Sequence, residues 1–325
     1  MSAQKSPLRR LGRIALILGG LAVVAIVLIA ILVFQMLKPP PPHPGGPTSE
    51  PPSTGAPNRP GTQPADCSNV LALVVPGTWE SKAGDDPHTP TANKRSLMLR
   101  VSSNLQKQFS ESEADVYTVP YMAQFRNPTN LGDRQGTYDA SRAQGTKRAK
   151  EKIEKTHAHC PLTKYVLMGF SQGAVIVGDI ASDIGNGRGP IPKQDQDLVI
   201  GVGLIADGRR QSGEQQDVGP SPDGIGAEVS LGGVGSLVPG TTMTGARDGG
   251  FGALTDRTYS ICAKGDLICD SPTVTSPLKA IGQFANAVNN PVHAMYATSR
   301  YWDLDGATAT QWMLGWASKL IREAN

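Results

Sequence analysis

Residues Lys164–Ile184 read KYVLMGFSQGAVIVGDIASDI, and the stretch changes character halfway. Lys164–Met168 (KYVLM) is a short apolar, β-prone run, the pattern of a strand buried on both faces. From Gln172 the composition is that of a helix. Between them Gly169-Phe170-Ser171-Gln172-Gly173 matches Gly-x-Ser-x-Gly. In a chain with 37 glycines such a pentapeptide can arise by chance. Its setting carries the reading: a strand before it and a helix after it are what a nucleophile elbow requires. Strand and helix backbones pass close at such a turn, so small residues flank the serine, and the Ser171 hydroxyl stands above the carboxyl end of a sheet.

A serine hydroxyl is a poor nucleophile until a base takes its proton. In hydrolases built around this elbow the chain order is serine, acid, histidine. Of five histidines, His43, His88, His157 and His159 precede Ser171, and His293 alone follows it. His293 is therefore the expected base. The acid should lie between them, where Asp179, Asp183, Asp207, Asp256, Asp266 and Asp270 are candidates. Asp179 and Asp183 lie on the elbow helix and should point away. Asp266 is favoured because it sits between Cys262 and Cys269 in CAKGDLIC, where a disulfide would hold the carboxylate rigidly. Asp270 is its nearest rival. The developing oxyanion needs two donors. The backbone N–H of Gln172 is one, and Thr78, in the loop Pro76–Glu80 after the first apolar run, is the expected second.

Further strands are read at Val70–Val75, Asp115–Val119, Leu198–Ile205 and Thr258–Cys262. Helices are read at Tyr138–Thr156, Gln172–Ile184 and Ala307–Ala324. Continuous apolar strands alternating with helices indicate a parallel sheet covered on both faces. Residues 207–256 fit neither pattern, with 13 glycines in 50 positions. A substrate-binding excursion or lid and a plain surface insertion are both compatible with that composition.

The amino end has a different character. Residues 1–13 are basic, and Ile14–Leu37 are 24 residues without a charge, long enough to cross a bilayer. A cleaved signal peptide would have a shorter apolar core, so 14–37 is expected to be a single transmembrane signal anchor. Positive charge ahead of it places the amino end in the cytoplasm and the rest outside, in the cell envelope. Residues 38–65 follow, with 11 prolines between positions 39 and 65, and read as an extended spacer. The body is then 66–325.

The first 38 residues hold five positive charges and no acid, so 26 positive and 28 negative charges remain for the other 287 residues. A body with that balance has no electrostatic footprint for nucleic acid. Cys67, Cys160, Cys262 and Cys269 all fall on the expected outer side. Four cysteines allow three connectivities. The closeness of Cys262 and Cys269 favours pairing them, which leaves Cys67 with Cys160. Their spacing is poor for zinc, and two disulfides in an oxidising compartment are expected.

GFSQG around Ser171, CAKGDLIC around Asp266, a single downstream His293, and cysteines ahead of the first and third strands together resemble the cutinase family of serine esterases. The resemblance covers most of residues 66–325. It implies an α/β-hydrolase with a central, mostly parallel sheet of about five strands flanked by helices, two disulfides, and neither metal nor cofactor. It carries Ser171, Asp266 and His293 as the triad and Thr78 and Gln172 as the oxyanion pair. With the anchor and spacer, the chain looks like the membrane-anchored cutinase-like lipid hydrolases of mycobacteria and related actinobacteria. The expected activity is hydrolysis of acyl esters or thioesters of envelope lipids, of phospholipase A or thioesterase type, by a monomer. An acyltransferase using the same acyl-enzyme is the alternative, and a non-catalytic lipid-binding protein a third.

Overall fold

A computed structural model of the chain describes residues 59–126, 132–232, 239–273 and 290–325. The anchor expected at 14–37 and most of the spacer lie outside the described residues. Among the described residues no helix is long and apolar enough to cross a membrane.

The body is a parallel sheet with helices on both faces. In chain order its elements are β1 (Val70–Val75), α1 (Leu97–Gln108), β2 (Ala114–Thr118), α2 (Tyr138–His159), β3 (Lys164–Phe170) and α3 (Gln172–Gly185). They continue with β4 (Val199–Ile205), β5 (Gln216–Asp217), the single turn α4 (Ala227–Ser230), β6 (Thr258–Ile261) and α5 (Ala309–Ala324). The sheet order is β2-β1-β3-β4-β6-β5, and every pair is parallel.

Every residue of β1 is buried because the strand pleat sends alternate side chains into two cores. Val70, Ala72 and Val74 pack with Met98, Val101 and Leu105 of α1 and Met313, Ala317 and Ile321 of α5. Leu71, Leu73 and Val75 pack with Ile153 of α2 and Ile176 and Ile180 of α3. A strand between two apolar layers has no polar face to show, hence VLALVV.

One expectation needs correction and one element was not anticipated. The sheet has six strands rather than five. The extra one, β5, is two exposed polar residues at the sheet edge, Gln216 and Asp217, which carry no apolar signal. Helix α1 was not read from the sequence. Ser96 caps it by accepting the Leu99 N–H, and Leu97, Met98, Val101 and Leu105 form its buried stripe.

Both disulfides form as expected, Cys67 with Cys160 and Cys262 with Cys269. The described chain begins at Arg59, whose guanidinium pairs with Asp195 and Asp197 in the 3-10 turn leading into β4. Cys67 and Cys160 likewise precede β1 and β3. This end of the sheet is therefore tied together by covalent and ionic links.

Candidate active site

The chain runs from β1 outward to β2 and then returns to place β3 on the other side of β1. Parallel sheets open a crevice at the carboxyl ends of strands that flank such a reversal. Thr78 follows β1 and Ser171 follows β3, so the sequence puts both candidates at this crevice.

Ser171 has φ 54° and ψ −121°, a left-handed conformation costly for a residue with a Cβ. The surroundings enforce it. A Cβ on Gly173 would stand 2.1 Å from the Val75 carbonyl oxygen, and one on Gly169 would stand 2.3 Å from that of Gly173. Only glycine lets β1, β3 and α3 approach this closely. The Ser171 N–H is fixed to the Ile205 carbonyl at 2.9 Å.

The structure brings Ser171, His293 and Asp266 into one hydrogen-bonded line. His293 Nε2 lies 2.7 Å from Ser171 Oγ, and His293 Nδ1 lies 2.9 Å from Asp266 Oδ2 and 3.0 Å from Oδ1. Asp266 is fully buried. Burial opposes its ionisation, but the charge and hydrogen bond of His293 outweigh that, with help from the Tyr296 hydroxyl and the Ile268 N–H. The carboxyl is held below its ordinary range. Phe170 stacks on the His293 ring with centroids 5.0 Å apart. The geometry suits proton transfer from the hydroxyl to the imidazole, with the carboxylate facing the cation that forms.

The rival carboxylates are placed elsewhere. Asp179 is paired with Arg142, Arg209 and Arg247, Asp183 with Lys150, and Asp207 with Arg247. Asp270 accepts the Gly265 N–H, and Asp256 is exposed.

Thr78 and Gln172 line the same pocket as Ser171 and His293. The Gln172 side chain turns into the body, accepting from Ser141 Oγ at 2.8 Å. The loop carrying Thr78 is braced on both sides. Tyr121 donates its hydroxyl to the Pro76 carbonyl at 2.6 Å, and Glu80 Oε2 accepts the Gly77 N–H at 3.1 Å. Trp79 has φ 64°, donates its backbone N–H to the Ala123 carbonyl, and leaves its ring 54% exposed at the pocket.

The pocket beside Ser171 has a volume of about 110 Å³ and a mainly apolar wall that includes Trp79, Phe125, Val175, Met243 and Ile268. Gly208, Ala227, Glu228 and Met243 come from the 207–256 excursion, so its described part walls the pocket. Buried charge pins it there. Arg247 bridges Asp207 and Asp179, and Arg142 bridges Asp179 and Glu228. Glu228 also accepts from the hydroxyls of Tyr138 and Thr244.

One cluster among the described residues gathers metal-ligating atoms, Cys67, Cys160 and His159. Its two sulfurs are bonded to each other, so neither is a thiolate.

The cutinase family model matches residues 88–299. The chain belongs to the cutinase family. The match spans the elbow, Asp266 and His293 of this cutinase-family chain. A relative described as a carboxylesterase Culp6 homolog, from Corynebacterium glutamicum, is 46% identical over 269 residues, covering 81% of this chain and 84% of that protein. A probable carboxylesterase Culp5 from Mycobacterium tuberculosis is 30% identical over 173 residues, covering 51% and 77%. Among solved structures, the catalytic core domain of acetyl xylan esterase from Trichoderma reesei is 19% identical with a TM-score of 0.43, covering 70% of this chain and 98% of that one.

Sequence reasoning missed Tyr296, Glu80 and the Arg142–Glu228 wall. Glu80 stood within the loop singled out for Thr78. Tyr296 stood three residues past His293, the spacing that returns a tight helical turn to the same side.

Proposed function

We propose that this cutinase-family chain is a serine carboxylesterase that hydrolyses acyl esters or thioesters of cell-envelope lipids. The observation that carries the reading is the hydrogen-bonded line from Ser171 through His293 to Asp266, beside an apolar pocket. His293 takes the hydroxyl proton as Ser171 Oγ attacks the acyl carbonyl. The N–H groups of Thr78 and Gln172 receive the charge that develops on the carbonyl oxygen. Asp266 holds the imidazole and faces the imidazolium. Collapse expels the alcohol or thiol, which takes the proton back from His293, and the acyl-enzyme remains. Water, activated by the same histidine, then releases the acid and restores the serine.

The apolar wall supports an acyl chain rather than a charged group as the pocket's occupant. The carboxylesterase names of the two relatives support ester hydrolysis. The uncharged run 14–37 and the proline-rich spacer support attachment to the outer face of the cell membrane, which would bring the site to lipid substrates.

The test is hydrolysis by the full-length chain in detergent micelles, across acyl esters of increasing length, phospholipids and acyl thioesters, with Ser171→Ala alongside. Serine-dependent turnover is expected, as is labelling of Ser171 by a fluorophosphonate. Full activity in Ser171→Ala would sink the reading. Serine-dependent turnover of short esters only would remove lipids as the substrate class.

A further inference from the structure

We propose that Tyr296 is a positioning residue that holds the Asp266 carboxylate in line with His293 and tunes the pH at which that pair works. The inference rests on the serine-esterase reading and extends it. Tyr296 follows the 3-10 turn Pro291–Ala294 that carries His293. It is buried, with 1% exposure. Its hydroxyl donates to Asp266 Oδ2 at 2.7 Å and accepts the Ala263 N–H at 3.0 Å. Ala263 stands where the chain leaves β6 and enters the loop closed by Cys262–Cys269. One phenol therefore ties together the end of a core strand, the loop bearing the acid and the turn bearing the base.

Asp266 has three kinds of donor on its two oxygens. His293 Nδ1 reaches both, the Ile268 N–H meets Oδ1 at 3.1 Å, and Tyr296 meets Oδ2. Among the described residues, Oδ2 without the phenol keeps His293 Nδ1 alone. A hydrogen bond to an anion in a buried site is short and strong, and it draws off part of the anion's charge. The bond thus restrains the carboxylate's rotation and moderates how strongly it favours an imidazolium.

The hydroxyl is a standing donor. Burial, and then the charge of Asp266, push its ionisation well above the ordinary tyrosine range, against a smaller opposing effect of Arg210. The ionisable groups around it are Asp266, His293 through Asp266, and Arg210. Phe170 packs against both rings, 5.0 Å from His293 and 6.0 Å from Tyr296, so the two residues share one wall.

The experiment compares wild type with Tyr296→Phe in the full chain. It records kcat and KM for a short p-nitrophenyl ester across pH, normalised to sites titrated with a fluorophosphonate. Tyr296→Phe should lower kcat roughly ten-fold with KM unchanged. The acid limb of kcat/KM should move about half a unit to higher pH, because more carboxylate charge faces the imidazole. A curve and kcat per titrated site that superpose on wild type would overturn the proposal. So would a loss confined to the fraction of titratable enzyme, since a structural role alone lowers that fraction and leaves the limb in place.

Two further comparisons guard against a folding defect. In an Asp266→Asn background the added Tyr296→Phe change should have no further effect on kcat, whereas an independent structural effect would add in full. Replacement of Tyr296 by p-aminophenylalanine, which keeps a donor at the same point, should restore the wild-type limb. A folded protein with this residue and a still-displaced limb would overturn the proposal. Retained activity in Ser171→Ala sinks the esterase reading itself, so the two failures are distinct.

Discussion

Arg247→Met tests whether buried charge holds the pocket wall. The Arg247 side chain is 3% exposed and spans two carboxylates, Asp207 at 2.6 and 3.0 Å and Asp179 at 2.9 Å. Methionine fills much of the same volume but leaves Asp207, itself 1% exposed, without a guanidinium. Asp179 keeps Arg142 and Arg209, so most of the penalty falls on Asp207. Removing one partner of a buried ion pair costs about 3–5 kcal/mol. For a domain of this size that corresponds to a melting temperature lower by on the order of 10 °C. The assay is urea and thermal unfolding of wild type, Arg247→Met, Asp207→Asn and the double variant. The double variant should regain more than half of what Arg247→Met loses, because the stranded charge is gone. KM for a medium-chain ester should rise in Arg247→Met, since Gly208 and Met243 of the wall flank the pair. A single variant within about 1 kcal/mol of wild type, the ordinary range for a surface change, would refute the reasoning. A double variant no more stable than the single one would refute it too.

Gly173→Ala should reduce kcat/KM by about 100-fold or more, the scale associated with a misplaced reacting group, because its Cβ would stand 2.1 Å from the Val75 carbonyl and must displace the elbow. Esterase kinetics per titrated serine check this. Asp266 and Asp179 are both held below the ordinary carboxyl range. Burial opposes this in each, but His293 outweighs it for Asp266, as do Arg247, Arg142 and Arg209 for Asp179. Their ionisation therefore stabilises the fold above the unfolded value of about 3.9, and that contribution is lost as pH falls through the depressed values. Asp266→Asn should accordingly show a shallower loss of stability between neutral and acid pH in urea titrations. Glu80 has the opposite sign, because burial disfavours its charged form and raises its pKa despite the Leu97 and Gly77 N–H donors. The stability linked to its protonated form is lost as pH rises through the raised value, so Glu80→Gln should gain on wild type toward alkaline pH in the same assay.

The hydrogen-bonded line of the candidate site was legible where chemistry and chain order coincide. Ser171 announced itself through its glycines, His293 through being the one histidine downstream, and Asp266 through the cysteines around it. The strands β1, β3 and β4 were legible because burial on both faces makes them nearly continuous apolar runs. What escaped the sequence escaped for physical reasons. The pairing of β5 rests on backbone groups of two polar residues. The order of the described part of 207–256 comes from arginines whose carboxylate partners lie tens of residues away, so no local period marks it. Tyr138 belongs to a helix whose outward face is polar, and its contact with Glu228 joins residues 90 apart in sequence. Helix α1 is different, since its capping serine and apolar stripe are both present in the sequence.

Arg59 grips the turn before β4, while Ser171 stands after the far end of β3, roughly 20 Å away along strands that rise about 3.3 Å per residue. Tension applied through the chain ahead of Arg59 is delivered to the amino-terminal pole of the sheet. There the Cys67–Cys160 bond and the Asp195 and Asp197 carboxylates distribute it over β1, β3 and β4. The elbow sits at the opposite pole, across the parallel ladder that joins β1, β3 and β4. A pull on the chain ahead of Arg59 would therefore load the amino-terminal pole before the reacting atoms.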